Sequence, residues 1–167
     1  GCLGILQDIS ERKRAESRLA NTTRELQLRN QRMEADLALA RQTQQALLPR
    51  AQPQFPLDPA PGQHSFRFHQ TYLPIEAVAG DLLAILPLSE HRIGFFLCDV
   101  MGHGVRAALV TALVYALVQA LASESLKAGD LMTALNRRYL ACLSQEQEAV
   151  FTTAFYAVAD TRDQTLQ

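Results

Sequence analysis

The stretch RIGFFLCDVMGHGVRAALVTALVYALVQALA, residues 92–122, joins a predicted strand to a predicted helix through a short glycine turn. Arg92 to Val100 is rich in apolar and aromatic residues, as strands are, and carries Asp99 near its end. Val105 to Ser123 is long, apolar and rich in alanine, which favours a helix. The pattern therefore delivers an acidic residue at the end of a strand, beside two glycines.

The apolar run Val105 to Ala122 allows two interpretations. It approaches the length of a membrane span, and Arg106 is its only charged residue. Thr111 and Gln119 interrupt the run, alanine is abundant, and glycines stand at its start. We therefore interpret it as a helix buried in a soluble domain and expect no membrane partner.

Further apolar segments on both sides of this stretch predict a layered α+β fold. Phe66 to Tyr72 alternates as a strand does, and Val78 to Leu88 is a second apolar run. Together with the strand that ends at Val100 they predict an antiparallel sheet of consecutive strands. Gly129 to Leu143 is an amphipathic helix, and Ala149 to Asp160 is a fourth strand. Strands, then helices, then a strand indicate helices layered on a sheet.

A long polar helix is predicted before this domain, over Ser10 to Leu48. No glycine or proline occurs between Gly4 and Pro49, and strong helix formers dominate. Apolar residues recur every seven positions. One heptad position holds Leu19, Leu26, Met33, Ala40 and Leu47, and its partner position holds Ile9, Thr23, Asn30, Leu37 and Gln44.

This heptad predicts a homodimer through a parallel two-stranded coiled coil. Asn30 falls at an a position, where a buried amide favours an in-register pair. Glu16, Thr23 and Gln44 weaken the seam. The alternative is a single amphipathic helix that packs on its own domain.

Composition and charge limit the classes of partner and compartment. The chain has 167 residues, of which 48% are hydrophobic and 20% charged, as in a folded soluble protein. A formal net charge of −1 gives no bias toward nucleic acid, and none is expected as a partner. The three cysteines are odd in number and scattered, which indicates a reducing, cytoplasmic compartment.

Two acidic motifs are candidates for a metal site: Val78-Ala-Gly-Asp81 and Cys98-Asp99-Val-Met-Gly-His-Gly104. Hard cations such as Mg²⁺ and Mn²⁺ prefer carboxylate and carbonyl oxygens, and neighbouring strands can bring Asp81 and Asp99 together. The alternative for the second motif is an ordinary glycine turn that starts a helix.

Several motifs in order resemble one family of enzymes. Asp99-Val-Met-Gly-His-Gly-Val-Arg-Ala-Ala-Leu109 resembles the Asp-Val-Ser-Gly-His-Gly-x-Pro-Ala-Ala signature of bacterial metal-dependent protein phosphatases (PPM), in the branch of sporulation stage II E and stress-response sigma-factor regulators. The segments Ala40–Arg50, Ala79–Asp81 and Phe151–Tyr156 look like further parts of that branch's domain. Gly4 to Glu16 resembles the exit of a PAS sensor domain.

The resemblance implies an α/β/β/α phosphatase sandwich that binds two Mn²⁺ or Mg²⁺ ions. The ions activate a water molecule that attacks a phosphoserine or phosphothreonine. Asp99 would bridge the metals, Val100 would offer its backbone carbonyl, and Asp81 would be a further ligand or would orient one. Asp81 and Asp99 are accordingly the candidate catalytic residues, and His103 is expected to stabilise the turn rather than act as a general acid.

The same resemblance predicts the domain organisation and the partner. Residues 1–9 would end a PAS-like domain, 10–48 form a coiled-coil linker, 49–63 a proline-rich connector, and 64–167 the N-terminal part of the phosphatase domain. The substrate would be a phosphorylated regulatory protein, such as an anti-sigma-factor antagonist.

Departures from the family pattern favour an alternative. Ala84 stands where the family has a further Asp, Met101 replaces a Ser, and Arg106 replaces a Pro. The family's remaining metal-binding aspartates lie near a Thr-Asp-Gly segment, which residues up to Gln167 do not include. We therefore expect this chain alone to be nearly inactive. The alternative is a non-catalytic dimerising interaction module with a degenerate phosphatase domain.

Overall fold

A computed structural model describes residues 8–49, 54–56, 66–74, 77–124, 127–144 and 149–167. The chain divides into two compact units, 1–39 and 40–167. Most of the predicted PAS-like segment, 1–9, and of the predicted connector, 49–63, lies outside the described residues.

Three helices and six strands occur in the described residues. In chain order they are α1 (Ser10–Leu47), β1 (Gln54–Phe55), β2 (Phe66–Arg67), β3 (Asp81–Pro87), β4 (Arg92–Val100), α2 (Gly104–Ala122), α3 (Ala128–Cys142), β5 (Thr152–Asp160) and β6 (Thr165–Leu166). The predicted α+β class and the long N-terminal helix are confirmed.

The first unit contains the greater part of α1. The side chains of Leu19, Leu26 and Met33, which occupy one heptad position, are 69%, 53% and 56% exposed. Their exposure leaves the predicted seam uncovered within this single chain. The coiled-coil dimer remains a prediction.

The main sheet of the second unit is antiparallel, with strand order β3-β4-β5-β6. Side chains alternate between its two faces because successive residues of a strand point in opposite directions. On one face, Leu82, Ala84 and Phe96 pack with Val114 of α2 and Leu135 of α3 in the main core. The two helices therefore form a layer on this face.

Aromatic residues cover part of the opposite face. Phe55 of β1 packs with Ile93 and Ala159, and Phe66 and Phe68 flank this small cluster. The predicted strand Phe66–Tyr72 is wrong beyond residue 67, and β2 pairs with β1 in a separate two-stranded sheet instead of joining the main sheet. The reason is that its aromatic side chains pack on the face of the main sheet, so its backbone does not extend the edge.

Helix α2 meets the main core through one of its faces. By length and composition alone it could cross a membrane, with mean hydropathy 1.8. However, its residues Ala107, Val110, Thr111, Val114, Val118 and Leu121 are buried in the fold. Of the apolar window, 33% is buried on this face, and the expected absence of a membrane partner remains a prediction.

Candidate metal-binding site

Asp81 and Asp99 lie directly opposite each other on β3 and β4. One residue further along, the Val100 N–H donates to the Gly80 carbonyl oxygen at 3.1 Å. Because hydrogen-bonded and non-hydrogen-bonded pairs alternate in an antiparallel ladder, the two aspartates form a non-hydrogen-bonded pair, with Cα atoms about 4.5 Å apart. Their exposed side chains therefore leave the same face of the sheet side by side.

Gly80 permits the close approach of the two strands at this point. A Cβ atom on residue 80 would collide with the carbonyl oxygen of Val100. Any side chain here would push the start of β3 away from the end of β4. The glycine of the Ala79-Gly80-Asp81 motif is thus required for the pairing of Asp81 with Asp99.

Two helices hold the backbone that leads into Asp81. Thr111 of α2 is fully buried, and its hydroxyl oxygen lies 3.0 Å from the Gly80 carbonyl oxygen and 2.8 Å from the Ala107 carbonyl oxygen. Gln44 of α1 bonds both backbone groups of Ala79, as donor at 2.6 Å and as acceptor at 3.1 Å. The loop before β3 is therefore tied to α1, α2 and β4.

The turn after Asp99 contains two glycines in the left-handed region. Gly102 has φ 96° and Gly104 has φ 77°, a backbone conformation that favours glycine. The exposed His103 lies between them, with extended backbone angles, as the N-cap residue of α2. The His103 side chain makes no capping hydrogen bond to α2, and its role in the turn remains a prediction.

Side chains beside the aspartates form a shallow cleft on the outer face of the sheet. Thr153 lies opposite Asp99 on β5, and the exposed Leu97 and Phe155 continue the surface. The Tyr72 hydroxyl is buried there and has no hydrogen-bond partner among the described residues. Burial raises the pKa of Tyr72, the charge of Asp81 raises it further, and Arg41 lowers it.

The neighbours of the aspartates along each strand face the helices instead. Cys98 is buried in the main core. Desolvation, followed by the charges of Asp99 and Asp81, raises the pKa of its thiol to about 12. Ala84 is 1% exposed on the same core face. An aspartate at position 84 of this strand would point away from Asp81, so the interpretation of Ala84 as a gap in the site is wrong for this geometry.

The donor set fits a hard divalent cation. The two carboxylates would supply oxygen ligands, and the Val100 carbonyl is the further ligand that the resemblance implies. Mg²⁺ commonly keeps several water ligands while binding one or two carboxylates. No group of three or more His, Cys, Asp or Glu side chains that could hold a metal occurs within the described residues. Asp81, Asp99 and Val100 would hold the ion, which when bound supplies an activated water and neutralises phosphoryl charge.

Sequence reasoning missed the groups that support the aspartates. Gln44 was assigned to the dimer seam, but its side chain is buried against Ala79, so that assignment is wrong. In the sequence, Thr111 appears only as an interruption of an apolar run. A polar residue inside such a run was the available signal, because a buried hydroxyl requires a partner.

Known proteins are similar in sequence to the part of the chain that contains Asp99. Residues 89–167 match the family model of Stage II sporulation protein E (SpoIIE). Over 84 residues the chain is 33% identical to the "Phosphoserine phosphatase RsbP" of Bacillus subtilis (strain 168), a match that covers 50% of this chain and 21% of that protein. The chain thus spans about a fifth of the length of this curated relative.

Two solved structures are also similar. The structure of the RsbU and RsbW domains of Rv1364c from Mycobacterium tuberculosis is 24% identical, with a TM-score of 0.44, over 53% of this chain and 24% of that one. The PP2C phosphatase domain of SpoIIE from Bacillus subtilis, with a fragment of its regulatory domain, is 19% identical, with a TM-score of 0.45, over 53% of this chain and 25% of that one. Residues 89–167, which include Asp99 and the glycine turn, are thus similar to the SpoIIE family over slightly less than half of the chain.

Proposed function

We propose that the chain is part of a metal-dependent protein phosphatase that hydrolyses phosphoserine or phosphothreonine on a regulatory protein. The observation that carries the proposal is the direct cross-strand pairing of Asp81 with Asp99. The family match and the likeness to a phosphoserine phosphatase support it. Mn²⁺ or Mg²⁺ is the proposed cofactor.

Each residue has a distinct proposed role. The Asp81 and Asp99 carboxylates bind the cation, and the Val100 carbonyl oxygen is a further ligand. Gly80 permits their approach. His103 stabilises the turn that leads into α2. The shallow cleft beside the aspartates leaves room for a phosphorylated side chain to reach the cation.

The biological setting is also a proposal. We propose that the phosphatase is cytoplasmic, dimerises through α1, and acts on a phosphorylated regulator of sigma-factor activity in response to an upstream sensor. Neither nucleic acid nor membrane is a proposed partner. Low turnover by this chain alone is part of the same proposal, and Mn²⁺ binding is therefore the more direct test.

Mn²⁺ binding is measured by the loss of the free Mn²⁺ signal in electron paramagnetic resonance. We expect wild type to bind and Asp99→Asn to bind at least about tenfold more weakly, since one of two carboxylates is removed. Without metal, Asp99→Asn should unfold at a higher temperature, because like charges directly opposite each other cost roughly 0.2–1 kcal/mol. Asp163→Asn, which removes an exposed carboxylate from the turn after β5, is the matched control.

Activity is measured separately, in the full-length gene product, as phosphate release from a phosphoserine peptide with Mn²⁺. Turnover that is lost in Asp81→Asn and Asp99→Asn but kept in Asp163→Asn supports the phosphatase. Equal turnover in all variants contradicts the metal roles. Absence of both Mn²⁺ binding and turnover in wild type favours the alternative, a non-catalytic dimerising module.

A further inference from the structure

Gln44 is the only buried side chain of α1, a helix that the structure describes completely. It is 7% exposed, while its neighbours Gln42 and Gln45 are exposed to solvent. A buried amide must recover the hydrogen bonds that it loses to water. Both of its polar atoms therefore need a partner inside the domain.

Both partners come from one residue. Gln44 Nε2 donates to the carbonyl oxygen of Ala79 at 2.6 Å, and Gln44 Oε1 accepts from the N–H of Ala79 at 3.1 Å. The amide thus pairs with the Ala79 backbone much as a neighbouring strand would. This arrangement restrains the Ala79 backbone through both its N–H group and its carbonyl group.

Ala79 lies two residues before Asp81 and directly after Val78, whose side chain is buried. Ala79 offers one methyl group and Gly80 none, so hydrogen bonds must define the path of this backbone. Thr111 and Val100 bind the Gly80 carbonyl, and Gln44 binds Ala79. If Gln44 is removed, the restraint from α1 on the entry to Asp81 is lost.

We propose that Gln44 is a positioning residue of the metal site, which makes the C-terminal part of α1 a component of that site. It sets the direction in which β3 begins and so the separation of the Asp81 and Asp99 carboxylates. A rotation of this part of α1 about its axis would withdraw the amide from Ala79 and loosen Asp81. The inference rests on the proposed function, because it assumes that these carboxylates bind a cation.

The test compares Gln44→Met with Gln42→Met. Both changes replace an amide by a side chain of similar length on α1, but only the first removes the bonds to Ala79. Two quantities are measured: the hydrogen-exchange rate of the Ala79 amide by NMR in the metal-free chain, and the Mn²⁺ concentration for half-saturation by electron paramagnetic resonance. We expect Gln44→Met to exchange faster at Ala79 and to need about tenfold more Mn²⁺, as when groups that orient metal ligands are removed. Gln42→Met should match wild type.

Gln44→Asn is the second variant, for the case in which Gln44→Met does not fold. It keeps the amide but is one methylene shorter, so it should not reach both groups of Ala79 and should also bind Mn²⁺ more weakly. Wild-type exchange and wild-type Mn²⁺ affinity in either folded variant would overturn the positioning role alone. Lack of Mn²⁺ binding by wild type would overturn the proposed metal site, and the role of Gln44 with it.

Discussion

Gly80 directly precedes Asp81 and lies against the backbone of Val100 at the end of β4. A methyl group at this position would meet the Val100 carbonyl oxygen, and backbone atoms there cannot move without separating the strands. We expect Gly80→Ala to lower the free energy of unfolding by about 1–3 kcal/mol, as overpacking does. Mn²⁺ affinity should fall with it, because Asp81 moves away from Asp99.

Gly129 provides the matched control for this substitution. It lies in α3, and a Cβ atom there would contact nothing within 4 Å. Gly129→Ala should raise stability by less than the roughly 0.5–1 kcal/mol of a helix interior, since alanine is the better helix former but residue 129 lies in the first turn of α3. Chemical unfolding of both variants decides the matter: equal stabilities would show that Val100 does not crowd position 80.

The Cys98 thiol gives a second prediction for a single residue. Its pKa rises from 9.0 to about 12 in the folded chain, chiefly because of desolvation. Above pH 9 the unfolded chain loses this proton while the folded chain keeps it, so the free energy of unfolding should fall as pH rises through this window. In EDTA, thermal unfolding of Cys98→Ala should show a smaller fall between about pH 8 and about pH 10.5 than that of wild type.

Cys142, which is exposed, is the control for that experiment. Cys142→Ala should keep the wild-type pH dependence. A Cys98→Ala chain that loses stability with pH as steeply as wild type would contradict the assignment of this titration to the buried thiol.

Helix α2 supports the site through one hydroxyl group. Thr111 and Thr133 both place their Oγ1 atom against the carbonyl oxygen four residues earlier, but only Thr111 also reaches Gly80. Thr111→Val should therefore cost about 1 kcal/mol of stability, the usual net value of one hydrogen bond. It should also weaken Mn²⁺ binding. Thr133→Val, on the exposed side of α3, should change stability by less than about 0.5 kcal/mol.

The comparison of these two variants isolates the hydrogen bond from Thr111 of α2 to the Gly80 carbonyl oxygen before β3. If Thr111→Val and Thr133→Val have the same stability and the same Mn²⁺ affinity, the bond from α2 to Gly80 contributes nothing. A loss of Mn²⁺ affinity without loss of stability would still indicate that α2 orients the loop.

The elements that a local pattern specifies could be predicted from the sequence. The strand Arg92–Val100 was predicted with its observed bounds, since a continuous apolar run is bounded by polar and glycine residues. Phe66–Tyr72 was predicted as a strand because its side chains alternate in character, but this alternation does not show whether the backbone pairs with another strand. Its aromatic rings pack on the main sheet, and only Phe66–Arg67 pair with another strand.

Only part of the site was predictable, because contacts between residues far apart along the chain leave no local pattern in the sequence. Asp81 and Asp99 could be paired because consecutive strands predict a hairpin. The contact of Gln44 could not be predicted, because its partner Ala79 lies 35 residues away along the chain. A heptad pattern does not show which distant backbone group a polar helix residue binds. The sheet face of Ala84 relative to Asp81 follows from the alternation of side chains along β3, once both residues are placed in one regular strand.

At the scale of the whole molecule, we predict that the exposed heptad residues of α1 form the contact of a homodimer. Leu19, Leu26 and Met33 are all more than half exposed in a single chain, and a parallel partner helix would cover them. We expect light scattering to give a mass twice the 18.5 kDa of one chain. Leu26→Asp should give a monomer, because an unpaired charge in the seam loses its hydration without a partner.

Leu28 makes this prediction specific to the seam. It lies outside both heptad positions of α1 and is 51% exposed, close to the 53% of Leu26. Leu28→Asp changes the same residue type to the same charge on the same helix, and it should remain a dimer. A monomeric wild type at micromolar concentration would end the coiled-coil hypothesis, whereas dissociation by both variants would mean that a different face of α1 forms the contact. Retention of the dimer in Leu26→Asp would move the interface to the unit formed by residues 40–167, where the exposed Leu109 of α2 and Phe155 of β5 are the next positions to change.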